Sequence, residues 1–169
     1  INKRISPIND SELIEYLQNK KLQLKATSDK EIAYRNADYV IIATPTNYDV
    51  SSGSFDTSSV EVVIAECLKF NMECTLVIKS TIPLGFTDQM RNKFNTNNIF
   101  FSPEFLRESK ALYDNLYPSR IVIGGNSEKS RKFGEILLDC AKNDHKNIPL
   151  INMTSKEAEA VKLFSNTFL

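Results

Sequence analysis

Three short apolar runs constrain this chain more than any other feature: Tyr39-Val40-Ile41-Ile42-Ala43, Thr75-Leu76-Val77-Ile78 and Ile99-Phe100-Phe101. A strand with one face in water alternates apolar and polar residues. An unbroken apolar run of strand length is instead covered on both faces. Helical stretches lie between and after the runs. Val60–Phe70 sets Val60, Ile64, Cys67 and Leu68 on one stripe, and Gly85–Phe94 and Ser127–Ala141 also read as helices. Buried strands alternating with amphipathic helices predict an α/β fold: a doubly wound parallel sheet with helices on both faces.

The remaining segments fit that frame. Residues 10–20 carry Leu13, Ile14 and Leu17 at helical spacing behind Asp10 or Ser11 as N-cap. Leu22–Ala26 reads as a short strand, Ser28–Arg35 as a short helix and Glu108–Tyr113 as a helical turn. Arg120–Ile123 and Pro149–Asn152 read as strands. The last helix opens with Thr154-Ser155-Lys156-Glu157, a capping box in which hydroxyl and carboxylate satisfy each other's backbone donors. It then sets Ala158, Val161, Phe164 and Phe168 along one side.

Charge and composition narrow the function. The 169 residues hold 21 Lys+Arg against 21 Asp+Glu, a net charge of zero. A nucleic-acid-binding surface needs a basic excess, so that partner class is not expected. Neutrality leaves room for a small anionic ligand held by strand-end amides and single lysines. No apolar run approaches the roughly 18–20 residues needed to span a bilayer, so no membrane partner is expected. Cys67, Cys74 and Cys140 have no metal-ligand spacing and are expected to be reduced packing residues of a cytoplasmic protein. His145, in a polar loop, is expected to be solvated, and no metal site is expected. The chain starts at Ile1 without an initiator Met, and its last helix has no C-cap signal. It is therefore expected to be a piece of a longer protein.

Each of the three apolar strands is followed by hydroxyl residues and a proline: Thr44-Pro45-Thr46, Ser80-Thr81-Ile82-Pro83 after Lys79, and Ser102-Pro103-Glu104. Proline stops a ladder. In a parallel sheet the three stops share the carboxyl edge, where open α/β sheets bind ligands. A single Ser/Thr-Pro pair is an ordinary terminator. Three on one edge point to a site lined by hydroxyls and one carboxylate. Glu104 and Glu108, four apart, would share a face if their segment were helical, and a paired site can separate carboxyl pKa values into an acid and a base. From spacing alone, a solvated charged turn neutralised by Arg107 is the simpler description. Lys162 and Asn166 are also four apart and could together hold a hydroxyl, a carbonyl oxygen or an oxyanion. A snorkelling lysine beside a surface amide is the plainer account of that spacing.

Four blocks then take on a joint meaning: residues 78–87 (IKSTIPLGFT), 101–111 (FSPEFLRESKA), 117–120 (YPSR) and 155–167 (SKEAEAVKLFSNT). In this order they resemble the UDP-glucose/GDP-mannose dehydrogenase family, and the similarity runs from Ile1 to Leu169. The resemblance implies a Rossmann-like NAD-binding domain over residues 1–152 and the start of a long central connecting helix over 153–169. It implies oxidation of UDP-glucose to UDP-glucuronate with reduction of two NAD, in an enzyme that is a homodimer. By the same resemblance Thr46, Thr81 and Glu108 match cofactor-contacting positions. Glu104, Phe105, Leu106, Arg107, Glu108, Lys162 and Asn166 match positions that hold the sugar nucleotide. Glu104 is implied as the base that hydrolyses a thioester intermediate, Thr81 as helping to place the water, and Lys162 and Asn166 as steadying oxygens at the reacting carbon. Related GDP-mannose or UDP-N-acetylmannosamine dehydrogenases, or a non-catalytic α/β binding module, are the alternatives. The glycines Gly53, Gly85, Gly124, Gly125 and Gly134 form no G-x-G-x-x-G, and the family's cysteine nucleophile has no counterpart here. The chain by itself is therefore expected to be inactive.

Overall fold

In chain order the elements are α1 (Ser11–Asn19), α2 (Lys30–Tyr34), β1 (Tyr39–Ile42), β2 (Asn47–Asp49), β3 (Ser54–Asp56), α3 (Ser58–Phe70), β4 (Thr75–Ile78), α4 (Phe86–Phe94), β5 (Ile99–Phe101), α5 (Ala111–Leu116), β6 (Ile121–Gly124), α6 (Glu128–Cys140), β7 (Leu150–Met153) and α7 (Ser155–Phe168). Short 3-10 turns lie at Glu108–Lys110 and His145–Asn147. The computed structural model describes residues 1–50 and 53–168; the side chains of Glu108, His145, Asn166, Thr167 and Phe168 lie outside the described residues.

The main sheet has the order β1-β4-β5-β6-β7. β1, β4 and β5 are parallel, with Ile42 opposite Ile78 and Ile78 opposite Phe101. Their carboxyl ends share one edge, as the three proline stops predict. The expectation of a wholly parallel sheet needs correction. β6 is antiparallel to β5, with Phe101 opposite Gly124, and β7 is parallel to β6. The reason lies in the connection. An antiparallel neighbour needs no crossover helix, and residues 102–120 contain only the six-residue α5 and a 3-10 turn. β6 also extends past the end of β5, where the Ser102 hydroxyl donates to the Val122 carbonyl at 3.2 Å.

Two cores explain the unbroken apolar runs. Ile42, Ile64, Ile78, Met90, Phe101 and Ala158 pack together on one face, under α3, α4 and α7. Val77, Phe100, Ile121, Ile123 and Phe133 pack on the other, under α6. Successive residues of β4 and β5 thus enter opposite cores, and each fully buried side chain of this size contributes about 1.5–3 kcal/mol. On β1, at the sheet's end, Ile41 is 50% exposed, so that run is covered less completely.

Leu22–Ala26 is not a strand. Its backbone is tied to side chains instead: Asn2 Nδ2 donates to the Ala26 carbonyl (2.8 Å), the Ala26 amide donates to Asn2 Oδ1 (2.7 Å), and Arg4 donates to the Leu22 carbonyl (3.1 Å). The β2–β3 hairpin carries no strong alternation in the sequence. It is held by its antiparallel pairing and a T-shaped Tyr48–Phe55 contact.

The capping box of α7 forms as expected. The Thr154 amide and hydroxyl donate to Glu157 Oε2 at 2.7 and 2.8 Å, and the Glu157 amide donates back to Thr154 Oγ1 at 3.3 Å. α7 lies so close to β6 that a Cβ on Gly124 would stand 2.8 Å from Ala158 Cβ and from the Phe101 carbonyl oxygen. Only glycine allows that approach. Ala158 is fully buried, but Phe164, expected on the same side, is 65% exposed. The buried stripe of α7 is therefore shorter than the sequence suggests.

Candidate functional site

The strand-end turns of β1 and β4 are stitched together. The Lys79 amide donates to the Ile42 carbonyl (2.8 Å), and the Ser80 hydroxyl to the Thr44 carbonyl (2.7 Å). The Thr46 hydroxyl donates to the Thr81 carbonyl (2.7 Å). Ser59, at the start of α3, donates to the Pro45 carbonyl (2.9 Å). Ser80 and Ser102 are buried, so these two hydroxyls brace the edge more than they line it. Thr44, Thr46 and Thr81 remain half-buried on a neutral ledge of hydroxyls and amides.

At the end of β5 the chain turns. Residues 102–107 are irregular, and the 3-10 turn begins only at Glu108. The expected shared helix face for Glu104 and Glu108 therefore does not form. Arg107 is extended at φ −95°, ψ 135°, which interrupts any helix between Glu104 and Glu108. The Arg107 guanidinium grips Asp114 at 3.0 and 2.6 Å, and its amide donates to the same carboxylate at 2.8 Å. Arg107 thus neutralises Asp114, not the glutamates. That pairing holds the Asp114 carboxyl at about 2, below its ordinary 3.8. Phe105 is half-buried, with the Arg120 guanidinium 4.3 Å from its ring centroid. Leu106 is half-buried beside it.

α7 reaches this turn from the other side. Lys162 Nζ donates to the Glu104 carbonyl at 2.5 Å and lies 5.9 Å from the Phe105 ring centroid. Glu104 and Lys162 are therefore brought together, although 58 positions separate them. Burial pulls the Lys162 ammonium below its ordinary pKa, and Glu104 partly restores it. Glu108 and Asn166 occupy the 3-10 turn and α7, but their side chains fall outside the described residues.

One site residue escaped the sequence reading. Lys79 follows the fully buried β4 and, by strand alternation, extends on the Val77 side. It lines a cavity of about 160 Å³ with Ser102, Glu104, Phe105 and Arg120. Burial lowers its pKa, Glu104 opposes that shift, and Lys162 adds to it. A lysine just past a continuous apolar run at the carboxyl edge was the available signal.

The cysteines stand apart from this edge with one exception. Cys67 and Cys74 are buried and adjacent; the Cys67–Cys74 hydrogen bond pushes Cys67 up and pulls Cys74 down. Cys140, expected to be packed, is exposed and borders the Lys79 cavity. The described residues contain no group of three or more His, Cys, Asp or Glu arranged to hold a metal, and no described helix is long and apolar enough to cross a membrane.

The half-buried, uncharged Thr44, Thr46 and Thr81 suit a dinucleotide's ribose and amide groups, which need hydroxyl and amide partners and no charge; the Thr46 hydroxyl, its proton given to the Thr81 carbonyl, would meet them as an acceptor. A pyrophosphate calls for a glycine-rich turn at a helix N-terminus, which these residues do not form. The ledge therefore suits the ribose and amide part of NAD and does not suit its pyrophosphate.

Residues 1–140 match the family model for the UDP-glucose/GDP-mannose dehydrogenase family, NAD binding domain. Over the whole chain, the sequence is 52% identical to a UDP-glucose 6-dehydrogenase of Streptococcus pneumoniae and 48% identical to one of Campylobacter jejuni. It spans 44% and 42% of those proteins, less than half of each. Among solved structures, a UDP-glucose dehydrogenase of Pyrobaculum islandicum matches with a TM-score of 0.82 at 27% identity, over 98% of this chain and 40% of that one. A GDP-mannose dehydrogenase of Pseudomonas aeruginosa matches with the same TM-score, 0.82, at 25% identity, over 99% of this chain and 41% of that one. With a mainly parallel sheet of this order, stitched strand ends and a family match over most of its length, the chain belongs to the UDP-glucose/GDP-mannose dehydrogenase family.

Proposed function

We propose that this chain supplies the NAD-binding half of a UDP-glucose 6-dehydrogenase, which oxidises UDP-glucose to UDP-glucuronate while reducing two NAD. The observation that carries the reading is the Lys162–Glu104 contact at the carboxyl edge, 2.5 Å long and built from two separate family blocks. The two solved structures are equally similar in fold, so fold does not choose the sugar nucleotide. The high identity to UDP-glucose enzymes favours UDP-glucose over GDP-mannose or UDP-N-acetylmannosamine.

Bound NAD would supply the hydride acceptor. Thr46 and Thr81 would hold its ribose and amide end at the β1–β4 ledge, with Glu108 as a third contact. The irregular turn of Phe105, Leu106 and Arg107 would hold the sugar nucleotide. For Arg107 this falls to the carbonyl oxygen, because its guanidinium and its amide are both engaged by Asp114. Lys162 spends one N–H on the Glu104 carbonyl and keeps two for an oxygen at the reacting carbon. Its lowered pKa also brings it nearer the range useful for proton transfer. Asn166, one turn on, would donate to the same oxygen. Glu104 would be the base for hydrolysis of a thioester formed on a cysteine outside this chain, with Thr81 placing the water. Residues 153–169 would begin the connecting helix of a cytoplasmic homodimer.

The test is stoichiometry in the full-length enzyme. Two NADH per UDP-glucose consumed, with UDP-glucuronate as product, is the expected result, and the isolated 169-residue chain should give none. Oxidation of GDP-mannose or UDP-N-acetylmannosamine in preference to UDP-glucose would overturn the assignment.

A further inference from the structure

Glu159 is the fully buried carboxylate that the proposed chemistry leaves unused. It sits on α7, three residues before Lys162. Its Oε1 accepts from the Thr87 amide at 2.9 Å and the Thr87 hydroxyl at 2.6 Å. Its Oε2 accepts from the Gly85 amide at 2.5 Å. Gly85 is the left-handed N-cap of α4, with φ 85°, and has no side chain that could cap the helix itself. Glu159 therefore caps α4 from a different helix, using charge-assisted bonds at the positive end of a helix dipole. No cation forms a salt bridge with it among the described residues. Three donors and a helix terminus must offset the desolvation of a full negative charge, and such groups are strongly destabilising when a partner is removed.

The position of this cap gives it a consequence beyond stability. The segment from Lys79 to Gly85 carries Thr81. On its β1 side it is held by Ser80 on Thr44 and by Thr46 on the Thr81 carbonyl. At its far end it is held by Glu159 on Gly85. Glu159 and Lys162 are i,i+3 neighbours and share a face of α7. That face thus grips two strand-end turns at once: the Thr81 turn through Glu159 and the Glu104 turn through Lys162.

We propose that Glu159 is a positioning residue, a clamp that fixes the distance between the Thr81 turn and the Glu104–Lys162 pair so that the water-placing and base positions stay in register. The inference rests on the function proposed above. A merely structural cap would lower the melting temperature and leave turnover per folded site intact. A positioning clamp lowers kcat in protein that is still folded.

The experiment uses the full-length enzyme. In Glu159→Gln, an amide NH2 replaces one accepting oxygen and faces a donor, so at least one bond is lost. Misplacement on the ångström scale costs up to roughly 10²-fold, so kcat per folded site should fall by about tenfold to 10²-fold. KM for NAD should change little, and amide exchange should rise across residues 79–87. Should Glu159→Gln fail to fold, Thr87→Val removes a single hydroxyl bond, and Thr87→Ser restores that hydroxyl. The expected order of kcat is then wild type, Thr87→Ser and Thr87→Val, with kcat in the serine variant closer to wild type. Wild-type kcat per folded site in Glu159→Gln, or equal kcat in the two Thr87 variants, overturns the clamp. A wild-type enzyme that oxidises no UDP-glucose overturns the functional reading instead.

Discussion

Lys162, on the last helix, donates from Nζ to the main-chain carbonyl of Glu104 at 2.5 Å, joining α7 to the turn that ends β5. The bond uses one of three ammonium protons and leaves two for other acceptors. It also puts a cation against the segment proposed above to carry the base.

Removing that cation should act on turnover first. A preorganised donor at a developing oxyanion is worth about 2.7–4 kcal/mol, so Lys162→Ala in the full-length enzyme should lower kcat by roughly 10²–10³-fold. Asn166→Ala should cost less, because it removes a neutral donor. Steady-state kinetics beside a thermal melt checks both. A large fall in melting temperature with normal turnover in the surviving protein would make both residues structural.

Lys79 separates stability from activity in the opposite sense. Its ammonium is desolvated, which lowers its pKa from the ordinary 10.5. Lys79 is half-buried, and a desolvated charge without an ion-pair partner costs free energy that an apolar residue of similar volume avoids. Lys79→Met should therefore melt at or above the wild-type temperature while kcat falls, because Glu104 loses a neighbouring positive charge. The sign of the pH effect follows. The unfolded chain binds the Lys79 proton more tightly than the folded one, so this group's contribution to stability rises as pH climbs from its lowered folded pKa toward 10.5. In denaturant titrations from pH 8 to 10.5, wild type should gain on Lys79→Met. Parallel curves would mean that Lys79 is not desolvated.

Much of this arrangement was legible in the sequence, and the part that was not has a physical reason. The runs at β4 and β5 and the Thr154–Glu157 capping box are local signals, written within a few residues. The direction of β6 is not local; it follows from what residues 102–120 can span. Leu22–Ala26 has strand character but satisfies its backbone through Asn2 and Arg4, so no neighbouring strand is recruited. Glu104 and Glu108 are spaced for one helix face, but the extended Arg107 between them prevents it. Glu159 has the appearance of one more surface charge in a charged helix. Only α4, 72 positions away at Thr87, makes it a buried cap.

The Arg107–Asp114 pair sets an acid limit. The Asp114 carboxyl is held at about 2 against an ordinary 3.8. A lowered folded pKa contributes stability that is present above 3.8 and is lost as pH falls through about 2. The urea midpoint of Asp114→Asn should therefore lie below wild type at neutral pH, and the gap should close between pH 4 and pH 2. A gap that is constant with pH would assign the effect to packing alone.

The thiols should divide by exposure. Cys140 is exposed, while Cys67 and Cys74 are buried. Among these three, a thiol reagent should titrate Cys140 quickly in the native protein and the other two only on denaturation. Replacing all three with Ala or Ser should leave turnover of the full-length enzyme within a small factor. A loss of several orders of magnitude from any one of them would place a catalytic thiol in this chain.

The most direct test of the central claim is the mass of Glu104→Gln in the full-length enzyme after incubation with UDP-glucose and NAD. Loss of a general base typically costs about 10²–10⁴-fold. If Glu104 is the hydrolytic base, turnover should fall by that order, and the protein should gain the mass of a covalently held UDP-glucuronyl group. Slow turnover with no adduct at any time would contradict the account and place the base elsewhere.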